Sequence, residues 1–67
     1  MVQPQFEDLL LTVDEVARLM RVSNMTVYRL IKSGQMAAIR VGKNYRIRRR
    51  DMERYLSDRA VRVEGGQ

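Results

Sequence analysis

Apolar residues change their period twice along the chain. Val13, Val16, Ala17 and Met20 recur at helical spacing and predict a first helix over 13–20. Its start is written in Leu11-Thr12-Val13-Asp14-Glu15-Val16. Thr12 and Glu15 form a capping box, in which hydroxyl and carboxylate satisfy each other's free backbone N–H groups, and Leu11 and Val16 are spaced as a hydrophobic staple. The device recurs at Val22-Ser23-Asn24-Met25-Thr26-Val27, with Ser23 as the cap and Val22 and Val27 as the staple pair. A second helix follows over 24–33, carrying Val27, Leu30 and Ile31 on one side, and Gly34 suits the left-handed residue that ends it. Only Arg21 to Ser23 separate the two, the spacing of a helix-turn-helix. After Gly34 the period becomes two. Ala38-Ile39-Arg40-Val41 and Tyr45-Arg46-Ile47-Arg48 flank Gly42-Lys43-Asn44, which predicts a hairpin over 38–47 with a three-residue loop. On that reading Ile39, Val41, Tyr45 and Ile47 share one face, and Arg40, Arg46 and Arg48 the other. Helical spacing returns with Met52, Tyr55 and Leu56, giving a third helix over 49–58. Asp51 and Glu53 suit the dipole near its start, but Arg49 and Arg50 stand where a capping side chain belongs.

The expected architecture is therefore mainly α with a small β-hairpin, a winged helix-turn-helix. Residues 11–58 form the domain, 1–10 an N-terminal arm whose apolar end, Leu9 to Leu11, docks on the core, and 59–67 a flexible tail. The core is expected to hold Leu11, Val16, Ala17, Met20, Val27, Leu30, Ile31, Ile39, Val41, Ile47, Met52, Tyr55 and Leu56.

Charge turns this scaffold towards a partner. The 67 residues carry 13 Lys and Arg against 8 Asp and Glu, a net charge of +5. From Val16 to Arg50 there are ten bases and no acid, a stretch that repels itself unless a polyanion is near. The bases are spaced through structured patterns and do not form a tail, which favours nucleic acid over a merely solvated face. No segment joins them to a large apolar face, and no apolar run approaches the roughly 20 residues of a membrane span. Met1-Val2-Gln3-Pro4-Gln5 lacks the basic start of a signal peptide, so a cytoplasmic protein is expected. With no histidine and no cysteine, the commonest general base, metal ligands and nucleophile pairs are missing, and a non-enzymatic module without cofactor is expected.

The second helix is the element to enter a major groove about 12 Å wide. Asn24 is spaced to pair with adenine, and Thr26 to hydrogen-bond or touch a thymine methyl. Tyr28, Arg29 and Lys32 are long enough for phosphates on the groove walls. Met25 is either a reader or a half-buried gap-filler, and Tyr28 either a phosphate contact or a cover for the first helix. The thin tip Gly42-Lys43-Asn44 suits the minor groove, with Arg40 and Arg46 beside it. Arg46 and Arg48 would track the backbone, while Arg49 and Arg50 suit a phosphate or a protein partner equally.

Leu11-Thr12-Val13-Asp14-Glu15-Val16-Ala17, then Val22-Ser23-x-x-Thr26-Val27-Tyr28-Arg29-Leu30-Ile31-x-x-Gly34, resemble the excisionase-type, MerR-related helix-turn-helix domains. The resemblance continues through Ala37-Ala38-Ile39-Arg40-Val41-Gly42-x-x-Tyr45-Arg46-Ile47 and Asp51-Met52-Glu53-x-Tyr55-Leu56. It implies double-stranded DNA as partner, the second helix in the major groove and the wing on the adjacent minor groove. Thr26, Tyr28 and Arg29 match the family's DNA-facing helix positions, and Lys43 and Arg46 its wing positions. It also implies an excisionase, or recombination directionality factor, that bends DNA at repeated sites for a tyrosine integrase at the bacterial nucleoid. Small transcription regulators on direct repeats are the alternative. The ten or so residues after Leu56 hold no effector domain, which favours the architectural role, with copies assembling head-to-tail. Val61 and Val63 alternate in the tail and are the expected contacts to a neighbouring copy or the integrase.

Overall fold

A computed structural model describes residues 10–60. Strand β1 (Leu10–Thr12) leads into helix α1 (Val13–Met20), and a tight turn leads on to α2 (Asn24–Lys32). Strands β2 (Ile39–Val41) and β3 (Asn44–Arg48) form the hairpin, and α3 (Arg49–Asp58) closes the domain. The three helices and a small antiparallel sheet make the winged helix-turn-helix that the pattern predicts. Residues 1–9 of the expected arm, and Val61 and Val63 of the tail, lie outside the described residues.

Each end of the helical pair has a local cause. The Thr12–Glu15 capping box is complete: the Thr12 amide donates to Glu15 Oε1 at 2.9 Å and the Glu15 amide to Thr12 Oγ1 at 3.0 Å. Ser23 Oγ accepts from the Thr26 amide at 3.1 Å. α2 ends at Gly34, whose φ of +81° lets the Gln35 and Gly34 amides turn back to the Leu30 and Ile31 carbonyls. α1 ends the same way without a glycine. Arg21 takes φ +61°, and the Val22 and Arg21 amides return to the Ala17 and Arg18 carbonyls at 2.9 and 3.2 Å. α3 has no side-chain cap, since Arg48 occupies its N-cap. The second staple is left open: Val27 is buried, but Val22 stays exposed.

The sheet differs from the expected two-stranded hairpin in two ways. β1 adds a third strand, so β3 lies centrally in the order β1-β3-β2. Leu11 faces Ile47 across β1 and β3, and both are buried. Leu11 thus belongs to a strand as well as to a staple, and three residues are too short a run to show alternation. The hairpin also turns one residue earlier than the alternation suggests. Val41 pairs with Asn44, leaving Gly42-Lys43 as a two-residue loop, with Gly42 at φ +62° in the first position as a type II′ turn requires. Directly opposed residues share a face, so this register places Ile39 beside Arg46 and Val41 beside Asn44 on the outer face, and Arg40 beside Tyr45 on the inner one. The expected face of Ile39, Val41, Tyr45 and Ile47 is corrected accordingly: a one-residue change in loop length flips every side chain of β2.

Leu11, Val13, Val16, Ala17, Val27, Met36, Ile47 and Met52 form the core, with Met20, Leu30, Ile31, Ala38, Tyr45 and Tyr55 packed against it. Three expected members are absent from it, the first being Ile39, which the register turns to the outer face beside Arg46. Val41 is 47% exposed because of the register, and Leu56 is 42% exposed on the outer side of α3. Met36, just past Gly34, is buried instead. Its amide donates to the Leu30 carbonyl at 3.1 Å, which folds the chain back over the end of α2. The far end of α3 is tied to the same bend, where Arg59 hydrogen-bonds Gln35 and lies 4.6 Å from the Tyr55 ring centre.

Candidate nucleic-acid interface

α2 buries Val27 and half-buries Leu30 and Ile31, which fixes what its other sides present. Asn24, Met25, Tyr28, Arg29 and Lys32 are all exposed. Met25, at 62% exposure, is no gap-filler but a free apolar side chain in the first turn. Thr26 is half-buried, and its Oγ1 lies 3.1 Å from Ser23 Oγ, so its hydroxyl is engaged in the cap.

The wing meets this helix through aromatic rings. Tyr28 and Tyr45 stand edge to face, with centroids 6.2 Å apart, and the Arg40 guanidinium lies 5.5 Å from the Tyr45 ring centre. Such contacts are worth of order 1 kcal/mol each; the ring pair joins α2 to the wing, and the cation contact stiffens the wing itself. Tyr28 thereby acts as the bolt between helix and wing. The sequence pattern assigns Tyr45 only to the core face. The signal for its second role is its chemistry, since a half-buried tyrosine at a strand edge offers a ring to one neighbour and a polar tip to another.

Between α2 and the wing runs an open groove of about 290 Å³, lined by Thr12, Val13, Asp14, Asn24, Tyr28, Asn44, Tyr45 and Arg46. Four of the expected site residues, Asn24, Tyr28, Asn44 and Arg46, thus converge on one surface. Arg46 is held in place by a bond from Nη1 to the Tyr45 carbonyl at 3.1 Å, which leaves further guanidinium donors for a ligand. Met25, Arg29, Lys32 and Lys43 do not line the groove. Arg40 is turned to its own hairpin, its Nε donating to the Gly42 carbonyl at 3.4 Å. Asp14 pairs with Arg18 at 3.1 Å and places a carboxylate on the groove wall, which disfavours a phosphate inside it. Outside the groove, Arg29, Lys32 and Lys43 are exposed and form no ion pair with a described residue.

A helix-turn-helix, a wing and a shared groove define the class, and the comparisons agree. The helix-turn-helix domain family matches residues 10–60, and the chain belongs to that family. Over 43 residues it is 58% identical to a Mycobacterium tuberculosis protein named "Putative DNA-binding protein Rv0500A", covering 64% of this chain and 55% of that one. It is 41% identical over 56 residues to the uncharacterized protein Rv2310 of the same species, covering 84% of this chain and 49% of the relative. The uncharacterized Bacillus subtilis protein YvgK is 48% identical over 44 residues, which are 66% of this chain and 14% of that protein. The chain thus spans about half the length, or less, of these curated relatives. No solved structure matches. Among the described residues no helix is long and apolar enough to cross a membrane.

Proposed function

We propose that this domain binds duplex DNA, with α2 in the major groove and the Gly42-Lys43 tip on the adjacent minor groove. The observation that carries the reading is the convergence of Asn24 and Tyr28 from α2 with Asn44 and Arg46 from the wing on one groove. The name of the mycobacterial relative supports it. Asn24 and Met25 read bases, the first by hydrogen bonds and the second by apolar contact. Arg29, Lys32, Lys43 and Arg46 take phosphates and set the register. Thr26 fixes the start of the reading helix. A chain with no histidine or cysteine has little means of catalysis, and no enzymatic role is assigned.

The finer role follows from the resemblance in the motifs: an excisionase that loads repeated sites, bends DNA and helps a tyrosine integrase at the nucleoid. One helix and one wing cover about a turn of duplex, too little for genomic selectivity, so several copies on direct repeats are the economical arrangement. A MerR-like transcription regulator is the second reading.

Titration of a labelled duplex against salt tests the common part. With four or five phosphate contacts, log K falls with log salt at a slope near −4. Arg29→Ala lowers that slope by about 1 and weakens specific and random duplexes alike. Asn24→Ala narrows the gap between them. A salt-independent signal, or equal effects of Asn24→Ala on every duplex, overturns the assignment. An excision assay with the integrase and its attachment sites then separates the two finer roles.

A further inference from the structure

A second basic cleft lies at the base of the wing, where β3 passes into α3. Arg48, Arg50, Asp51 and Arg54 line an opening of about 430 Å³. Arg48 Nε is 3.7 Å from Asp51 Oδ2, and Asp51 is mostly buried while Arg48 is 44% exposed. Arg50 and Arg54 are exposed and make no ion pair with a described residue. The cleft therefore sets three guanidinium groups against one carboxylate. This arrangement works against the fold. Arg50 and Arg54 are four apart on one helix face, where like charges repel, and cations in a first turn oppose the helix dipole. The three bases are all arginines, whose planar forks match phosphate oxygens two at a time.

Position tells which phosphate. Arg46 and Arg48 lie on the same outer face of β3, two residues and about 7 Å apart. Arg46 lines the groove between α2 and the wing, and Arg48 lines the cleft, so one basic track runs from the first to the second. We propose that Arg48, Arg50 and Arg54 form a second phosphate site that takes the backbone of the same duplex beyond the helix–wing contact. Arg48, steadied by Asp51, orients the entrance, while Arg50 and Arg54 grip the phosphate. The proposal rests on the DNA reading above and extends its footprint on one flank.

The test compares a short duplex covering the helix–wing site with duplexes extended by half a turn on either flank, using the full chain. Extension on one flank steepens the salt slope by about 1, and extension on the other leaves it unchanged. The double variant R50Q/R54Q returns the extended duplex to the short-duplex slope without altering sequence preference, and R50K/R54K keeps most of the steepening. A thermal melt of each variant shows whether the fold is intact, and the lysine pair separates lost charge from lost structure. Equal slopes on short and extended duplexes, or an R50Q/R54Q variant that binds the extended duplex like wild type, overturn this site alone and point to a protein partner for the cleft. Equal weakening on short and extended duplexes overturns its placement beyond the wing. A wild-type chain that binds no duplex overturns the DNA reading itself, and this site with it.

Discussion

The helical pair and the sheet half of this domain are held by different means. In α1 and α2, starts and stops are built from side chains and amides within six residues of each other: Thr12 with Glu15, Ser23 with Thr26, Gln35 with Leu30. In the sheet, Leu11 depends on Ile47, far along the chain, and α3 begins without a cap. Local devices distribute stability in small increments, whereas the sheet half concentrates it in one strand. β3 pairs on both sides, carries the fully buried Ile47, and presents Arg46 and Arg48. The element that holds the fold together is therefore also the one that carries Arg46 and Arg48 on its outer face.

The largest effect that would sharpen this contrast is at Ile47. Ile47→Ala should cost roughly 2–5 kcal/mol, enough to unfold a domain this small, while Val41→Ala on the exposed face should stay within about 0.5 kcal/mol. Far-UV circular dichroism melts compare the two, and a cooperative wild-type-like melt for Ile47→Ala breaks the assignment. The helix starts give the next effect. Thr12→Ala should cost about 1 kcal/mol by removing the capping box, whereas Arg48→Ala, which removes no cap, should change stability by less than about 0.5 kcal/mol in urea titrations. Equal losses would erase the difference between a capped and an uncapped helix. The smallest concerns Arg21. A side chain at φ +61° costs about 1–2 kcal/mol, part of which glycine returns in the unfolded chain, so Arg21→Gly should gain about 0.5 kcal/mol. A loss on that substitution would show that the Arg21 side chain contributes more than its strain.

The same contrast explains what could be read from sequence. Helix boundaries and caps were legible because their causes are neighbours: Thr12-x-x-Glu15, Ser23 and Gly34 state where helices begin and end. Register was not, because Gly42-Lys43-Asn44 fits loops of two or three residues equally well, and the choice decides which face Ile39, Arg40 and Val41 occupy. β1 was hidden in a stretch that already makes sense as a staple. Met36 was hidden by lying in a bend, where no periodicity marks a buried side chain; its position directly after a helix-ending glycine was the available signal. Of the candidate site, Asn24, Tyr28 and Arg46 were legible from helix and strand faces. The Tyr28–Tyr45 contact was not, since it joins two elements whose separation only the tertiary fold sets.

The capping box has one further effect, at the edge of the sheet. Both outer strands of the sheet are three residues long, and the outer edge of such a strand invites another chain to pair with it. The last amide of β1, that of Thr12, is already taken by the Glu15 carboxylate, which removes a donor at that edge. On the opposite edge, β2 carries Arg40 at its centre, folded over the Tyr45 ring. Short length, a consumed donor on one edge and a cation on the other make the sheet a poor template for strand addition.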